Sequence, residues 1–326
     1  MITVAKDGSG DFSSVQEAIH SVPKENAEPV TIFIKSGTYT ELLTIDRPYI
    51  TLEGEEVTST ILTFHNYARM VMEDGMNRGT FRSQSTFIDT HDFTAKNITF
   101  ENSAGPGKQV GQALAVYVDG DRIYFENCHF LGDQDTVFTG PLPPTVLQKN
   151  GFVGPKEFAP RINGRHLYRN CFICGGVDFI FGSATAYFDH CEIYSNRHDG
   201  EEGIQGYTTA ASTPEGQEYG YVFSDCKFTS DCPPQSVYLG RPWRNYARTV
   251  LLNCYLGEHI HNEGWHNWNK KEAEETVFYA EYASKGPGAA PESRVTWSRQ
   301  LTEAEAEHFA MDRVLGDWRP LEKREG

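Results

Sequence analysis

The amino-acid sequence predicts an all-β protein, a parallel β-solenoid in which short strands stack coil on coil and helices are confined to the ends. The first observation is a repeated segment, in which apolar or aromatic residues lead through a short polar stretch to Cys, one variable residue and then Phe, Ile or Leu. It occurs as YFENCHF (124–130), LYRNCFI (167–173), YFDHCEI (187–193), VFSDCKF (222–228) and VLLNCYL (250–256). The second observation is that strand-like runs of four to eight residues, bounded by Gly, Asn and Asp, fill most of the chain. One constant strand per coil, joined by loops of different length, explains the irregular spacing of the copies.

The chain is predicted to form one domain over residues 1–326, with one loop excursion and a helical tail. The stretch 140–165 contains five prolines and four glycines, which is typical of a loop extending from the coil. The tail is expected over residues 301–326. Helical caps fit an open solenoid, because its end coils would otherwise expose apolar faces and unpaired strand edges.

Capping signals locate both terminal helices. Ser13 or Ser14 can cap the first helix, with Gln or Glu three residues later in capping-box position. Thr302 with Glu305 is the same signal near the end of the chain. We expect this second helix to run without interruption to a stop near Gly316.

The cysteines are interpreted as core residues that form a column along the solenoid. A free Cys packs as a small hydrophobe, and in AKNITFENS (95–103) Ile98 takes the Cys position of the repeat. Seven cysteines are an odd number, so a complete disulfide framework is excluded and a reducing compartment is favoured. Cys171 and Cys174 form a C-x-x-C inside a strand pattern, which argues against a thioredoxin-like role.

Charge and hydropathy exclude several classes of function. Asp and Glu number 45 against 29 Lys and Arg, a formal net charge of −16, which argues against a nucleic-acid partner because phosphate binding needs clustered cations. No run of eighteen apolar residues and no signal-peptide pattern occurs, so we expect no membrane association. A cytoplasmic location is favoured, although a processed secreted enzyme would show the same residues.

Two aspartates stand at equivalent positions of the repeat. Asp135 follows Cys128 by seven residues and Asp178 follows Cys171 by seven. Neighbouring coils lie about 4.8 Å apart, so with the loop excursion set aside the two carboxylates should lie side by side on one outward face. Gln112 falls about one coil earlier.

Paired carboxylates suggest acid and nucleophile chemistry. Two such groups in contact do not both ionise readily, so one pKa should be raised while a cation keeps the other carboxylate charged. Either aspartate alone would more commonly be a turn residue that hydrogen-bonds its own backbone. Their shared register and the nearby glutamines favour the functional interpretation.

Five motifs, in order along the chain, resemble those of the pectin methylesterase family. They are GTYTE (37–41), GQALAV (111–116), GDQDT (132–136), GVDFIFGSA (176–184) and LGRPW (239–243). The resemblance covers nearly the whole chain. It implies a right-handed, single-stranded parallel β-helix that removes methyl groups from esterified galacturonate in pectin, giving methanol and a free carboxylate.

The resemblance also implies roles for individual residues. Asp178 would be the nucleophile that forms an acyl-enzyme, and Asp135 the general acid and then the general base. Gln112 and Gln134 would donate hydrogen bonds to the oxyanion of the tetrahedral intermediate. Arg241 would hold Asp178 ionised and oriented through its planar guanidinium.

Two aromatic residues are candidates for sugar binding, and no cofactor or metal is predicted. Trp243 and Phe181 would offer flat apolar faces to sugar rings, with a lid and a core role as their structural alternatives. His259, His261 and His266 lack the spacing of a zinc site and are interpreted as part of a polar, aromatic loop beside the cleft.

The expected partner is methyl-esterified homogalacturonan or its oligosaccharides, bound by a monomer. The acidic balance predicts that affinity falls as methylation falls. A polygalacturonase or lyase on the same solenoid is the first alternative, and a non-catalytic carbohydrate-binding solenoid is the second. A Ser hydrolase is disfavoured because G-x-S-x-G is absent. The excursion at 140–165 is longer than the family's usual connection and could narrow the cleft or add a subsite.

Overall fold

A computed structural model describes residues 1–198, 200 and 202–322. In this part of the chain the strands form three parallel sheets, and successive strands of the chain pass from one sheet to the next. Each sheet pairs strands of successive coils. The predicted all-β parallel solenoid is confirmed.

The three sheets differ in length and in the coils they include. Sheet A contains, in spatial order, Ile2–Val4, Val30–Ile34, Ile50–Gly54, Phe93–Lys96, Ile123–Glu126, Arg165–Arg169, Thr185–Asp189, Tyr221–Ser224, Arg248–Leu252, Phe278–Tyr282 and Arg299–Gln300. Sheet B contains Gly37–Thr40, Thr60–Phe64, Thr99–Asn102, His129–Leu131, Phe172–Gly175, Glu192–Ser195, Lys227–Ser230 and Tyr255–Leu256. Sheet C contains Leu43–Ile45, Thr86–Ile88, Val116–Val118, Val137–Thr139, Val177–Gly182, Gly206–Ala211 and Val237–Gly240.

The Asn-Cys repeat marks the bend between sheets A and B. The strands that directly follow these positions pair in register. The side chains at the Cys position of successive coils therefore form one buried column: Ile98, Cys128, Cys171, Cys191, Cys226 and Cys254. The residue before each has a left-handed backbone, with φ between 51° and 54°: Asn97, Asn127, Asn170, His190, Asp225 and Asn253. Asn, Asp and His tolerate this conformation better than other side chains. All seven cysteines are free; six of them are buried, and Cys174 is partly exposed.

One coil has an unfavourable residue at this bend. Leu252 pairs with Tyr282, so Ala283 occupies the position of Asn253 and shares its left-handed φ, at 51°. We expect Ala283→Asn to raise the free energy of unfolding by about 0.5 to 1 kcal/mol, because Asn is less strained there than Ala. Denaturant titration measures the change. Asn253→Ala should lower stability by a similar amount, and an unchanged midpoint in Ala283→Asn would contradict this explanation of the repeat.

Helical segments in the described residues are short. They are Val15–Ser21, Gly107–Val110, Glu303–Ala306 and Met311–Val314 in α-conformation, and Thr80–Arg82, Lys271–Glu275, Pro291–Ser293 and Glu307–Phe309 as 3-10 turns. None of them has the length and apolar character needed to cross a membrane.

The terminal helices follow the predicted caps with two differences. Ser14 caps the first helix, but the carboxylate of Glu41 accepts hydrogen bonds from the first backbone amides, so a distant residue replaces the expected capping box. Thr302 and Glu305 do form a capping box. The expected continuous helix is wrong, because the chain from Glu303 to Val314 is divided into three short turns that follow the surface of sheet A.

Candidate active site

Asp135 and Asp178 lie at the same position of neighbouring coils in sheet C. Val137 pairs with Ile180, so the aspartate two residues before each shares one register. The backbone amide of Asp135 donates to the carbonyl of Val177 at 3.0 Å. Both carboxyl groups line one cavity of about 400 Å³, within the range of small-molecule sites.

A β-bulge directs Asp178 toward this cavity. Val177 pairs with Tyr207 and Ile180 with Thr209, so two residues of one strand lie opposite one residue of the next. Asp178 is in this bulge with φ 51°. Bulges of this kind reorient side chains beside functional sites. Because of the bulge, Phe179 and Ile180 both enter the core, whereas Asp178 faces outward into the cavity.

Arg241 holds Asp178 through two parallel hydrogen bonds. Its Nε donates to Oδ1 at 2.8 Å and its Nη2 donates to Oδ2 at 2.7 Å. Such a bidentate pair is short, directional and strong. These two hydrogen bonds fix the orientation of the Asp178 carboxylate and favour its ionised form.

Burial and charge separate the two aspartates. Their exposed fractions are 7% for Asp135 and 6% for Asp178. Burial raises the pKa of Asp135 well above its ordinary value, and the charge of Asp178 raises it further. Burial also raises the pKa of Asp178, but the hydrogen bonds from Arg241 oppose that rise. A proton is therefore favoured on Asp135 and the negative charge on Asp178.

Two aromatic rings clamp the guanidinium of Arg241. The ring centroids of Tyr207 and Trp268 each lie 3.8 Å from its central carbon. Trp268 also has φ 55°, an uncommon conformation for a bulky residue. Sequence reasoning missed the clamp, because neither Tyr207 nor Trp268 belongs to one of the five motifs.

The clamp predicts a measurable positioning role for Tyr207, which does not line the cavity itself. We expect Tyr207→Leu to lower kcat roughly 3- to 30-fold, the range of a cation–π contact. A less well held Arg241 stabilises the carboxylate of Asp178 less, so the acidic limb of the pH–rate profile should move to higher pH. Tyr207→Phe keeps the aromatic ring face, so its kcat and the position of its acidic limb should match those of wild type. A purely structural role would leave the pH profile unchanged.

The other predicted site residues line the same cavity. Gln112, Gln134, Trp243 and Phe181 all contribute to its surface. Phe181 is only 3% exposed, so most of its ring supports the wall of the cavity. It packs in an outer aromatic cluster with Phe81, Phe87, Tyr117, Phe138 and Phe152.

Two cations complete the cavity wall and were not predicted. Lys270 donates to the carbonyl oxygens of Pro242 and Trp243 at 2.7 and 3.1 Å, and burial lowers its pKa to about 8. Arg244 donates to the carbonyl oxygens of Trp243 and Thr145. Arg244 directly follows the LGRPW motif, and this adjacency is the signal that could have indicated it.

The three histidines do not form a metal site. His259 is buried, and burial lowers its pKa to about 4. His266 contacts the ring of Tyr207 beside the clamp. Across the described residues, no group of three or more His, Cys, Asp or Glu side chains is arranged to hold a metal ion.

The fold and the site together define a β-helical enzyme with an aspartate pair at its centre. The pectinesterase family model matches residues 1–141 and 161–317. The chain therefore belongs to the pectinesterase family.

Curated relatives and solved structures agree with this assignment. Pectinesterase 31 from Arabidopsis thaliana is 39% identical, over 95% of this chain and 90% of that protein. Pectin methylesterase PemA from Erwinia chrysanthemi superposes with a TM-score of 0.81 at 31% identity, covering 98% of each chain. Pectin methylesterase from carrot gives the same TM-score and identity, over 96% of this chain and 92% of that one. The predicted family and the right-handed coil are confirmed.

Proposed function

We propose that this protein hydrolyses methyl esters of galacturonate units in pectin or pectic oligosaccharides, giving methanol and free carboxylate. The observation that carries the proposal is the pair of aspartates in one cavity, where Arg241 donates two hydrogen bonds to Asp178 and where burial and the charge of Asp178 raise the pKa of Asp135. This is the pairing of nucleophile and acid that ester cleavage through an acyl-enzyme needs. A solved pectin methylesterase structure in complex with a hexasaccharide supports a carbohydrate substrate.

In the first step Asp178 attacks the ester carbonyl carbon. The carbon–oxygen bond to methoxide breaks, Asp135 transfers its proton to the departing oxygen, and methanol leaves. An anhydride then joins Asp178 to the sugar carboxyl carbon. Gln112 and Gln134 donate to the oxyanion, an interaction worth about 3 kcal/mol per donor in other acyl-transfer enzymes.

In the second step Asp135 acts as the base. As a carboxylate it accepts a proton from water, whose oxygen attacks the carboxyl carbon of the sugar. The anhydride bond breaks, Asp178 leaves as a carboxylate and Arg241 again stabilises its charge. Asp135 ends protonated, so one cycle consumes one water and restores both aspartates.

Product analysis tests the reaction class. Esterified pectin treated with the enzyme should release methanol without new reducing ends and without unsaturated product. New reducing ends would indicate a polygalacturonase, and unsaturated product a lyase. Binding to pectin without any of these products would indicate a non-catalytic carbohydrate-binding protein. A monomeric, cytoplasmic enzyme acting on methylated oligosaccharides stays a prediction.

The two aspartates also predict the pH dependence. Activity should rise with pH as Asp178 ionises and fall again at higher pH as Asp135 loses its proton, which gives a bell-shaped profile. Because burial and the charge of Asp178 raise the pKa of Asp135, the falling limb should lie well above the ordinary carboxyl range. Initial rates of methanol release on an oligosaccharide ester, corrected for spontaneous hydrolysis, measure both limbs. A falling limb within the ordinary carboxyl range would contradict the assignment of the acid.

A further inference from the structure

The segment 142–160 lies against the cleft but outside the residues that the family model matches. Phe152 packs in the outer aromatic cluster, with ring centroids 5.8 Å from Phe81 and 6.3 Å from Trp243. Lys156 Nζ contacts Asp89 at 2.6 Å. These contacts fix the segment on sheet C, so it is a wall of the cleft that the matched part of the chain does not supply.

The side of this wall that faces the cleft is largely apolar, with Gln148 as its polar residue. Val146 and Leu147 line the cavity that holds the two aspartates, and their exposed fractions are 50% and 69%. Leu147 also lines an adjoining cavity, which shares Trp243 with the first. The two cavities therefore adjoin along Leu147 and Trp243.

The chemistry of the adjoining cavity disfavours a free carboxylate. Glu215 and Glu272 line it and would repel a negative charge. Arg244 and Lys270 also line this cavity, but both donate to backbone carbonyl oxygens and burial lowers the pKa of Lys270 to about 8, which weakens its attraction for a carboxylate. A methyl ester removes the charge of a galacturonate unit and adds an apolar group, which the exposed aliphatic side chain of Leu147 can cover.

We propose that Val146 and Leu147 bind the methyl ester of a galacturonate unit next to the one under attack, so that the enzyme prefers substrate whose neighbouring units are still methylated. This inference rests on the proposed function, because it names the substrate that the same site selects. The acidic residues of the adjoining cavity then act in the same direction as the negative net charge of the chain. The segment 142–160 would determine the preference for methylated over free galacturonate units.

The test compares two galacturonate oligosaccharides of equal length, one fully methylated and one methylated at a single unit. We expect wild type to show the higher kcat/KM on the fully methylated one. The measured ratio is kcat/KM on the fully methylated substrate divided by kcat/KM on the singly methylated one. The double variant Val146→Ser with Leu147→Ser should reduce this ratio about fourfold for each substrate methyl group that loses its aliphatic contact. The kcat/KM of each variant on the singly methylated substrate is the reference against which its kcat/KM on the fully methylated substrate is compared.

Phe158, in the same segment, and Ile162, two residues beyond its end, provide a matched control. Phe158 and Ile162 are 92% and 71% exposed and line neither cavity. Phe158→Ser with Ile162→Ser removes similar apolar surface and should leave the ratio unchanged. An unchanged ratio in the Val146/Leu147 variant, or an equal fall in the control, would overturn the inference. Methanol release from the singly methylated substrate shows separately whether the proposed function holds.

Discussion

Asp178→Asn should reduce methanol release by at least about 10⁴-fold, because an amide cannot attack the ester and form the acyl-enzyme. The substitution preserves the shape of the side chain, so the cavity should stay intact. It removes the charge that faces Arg241, and some loss of stability is expected because the buried guanidinium then lacks its counter-charge. Methanol release per folded enzyme, with thermal unfolding recorded in parallel, separates the two effects.

The chain offers a matched control for this substitution. Asp121 accepts from Arg165 in the same bidentate geometry, at 2.9 and 2.8 Å, outside the cavity. Asp121→Asn should therefore cost stability without lowering kcat. If Asp178→Asn kept more than a few per cent of wild-type activity, Asp178 would not be the nucleophile.

Asp135→Asn should reduce methanol release by about 10² to 10⁴-fold, the range of general acid–base catalysis. The amide cannot protonate departing methoxide or activate water. The falling limb of the pH–rate profile should also disappear, because that limb reports the proton on Asp135. Initial rates across the pH range measure both changes.

A change of leaving group isolates the acid role. A trifluoroethyl ester of the same oligosaccharide releases a more acidic alcohol, which needs less protonation as it leaves. Asp135→Asn should therefore lose less activity on this ester than on the methyl ester, as long as acylation limits the rate. Equal losses on the two esters would show that Asp135 does not protonate the leaving group.

The alignment of the two aspartates could be predicted because residues at the same distance from the repeated Cys take equivalent positions in successive coils. Asn before Cys marks the left-handed bend of these two coils, so counting from Cys128 and Cys171 gives the common register of Asp135 and Asp178. Parallel pairing without register shifts between these coils preserves the count. The buried cysteine column could be predicted for the same reason.

Contacts between distant loops could not be predicted in this way. The stacking of Tyr207 and Trp268 on Arg241 depends on how two separate connections fold over sheet C, and no periodicity encodes it. The bulge at Asp178 is likewise invisible in the sequence, because one extra residue in a strand resembles ordinary alternation. Glu41 caps a helix that lies 25 residues away, so local capping rules did not indicate it.

The position of the 142–160 segment also divides the reaction chemistry along the chain. Asp135 precedes the segment, whereas Asp178 and Arg241 follow it. A single proteolytic cut there would place the acid on one fragment and the nucleophile on the other. Neither fragment could act alone, and activity would return only when their sheets joined again, so this surface loop is a natural point for building a split enzyme.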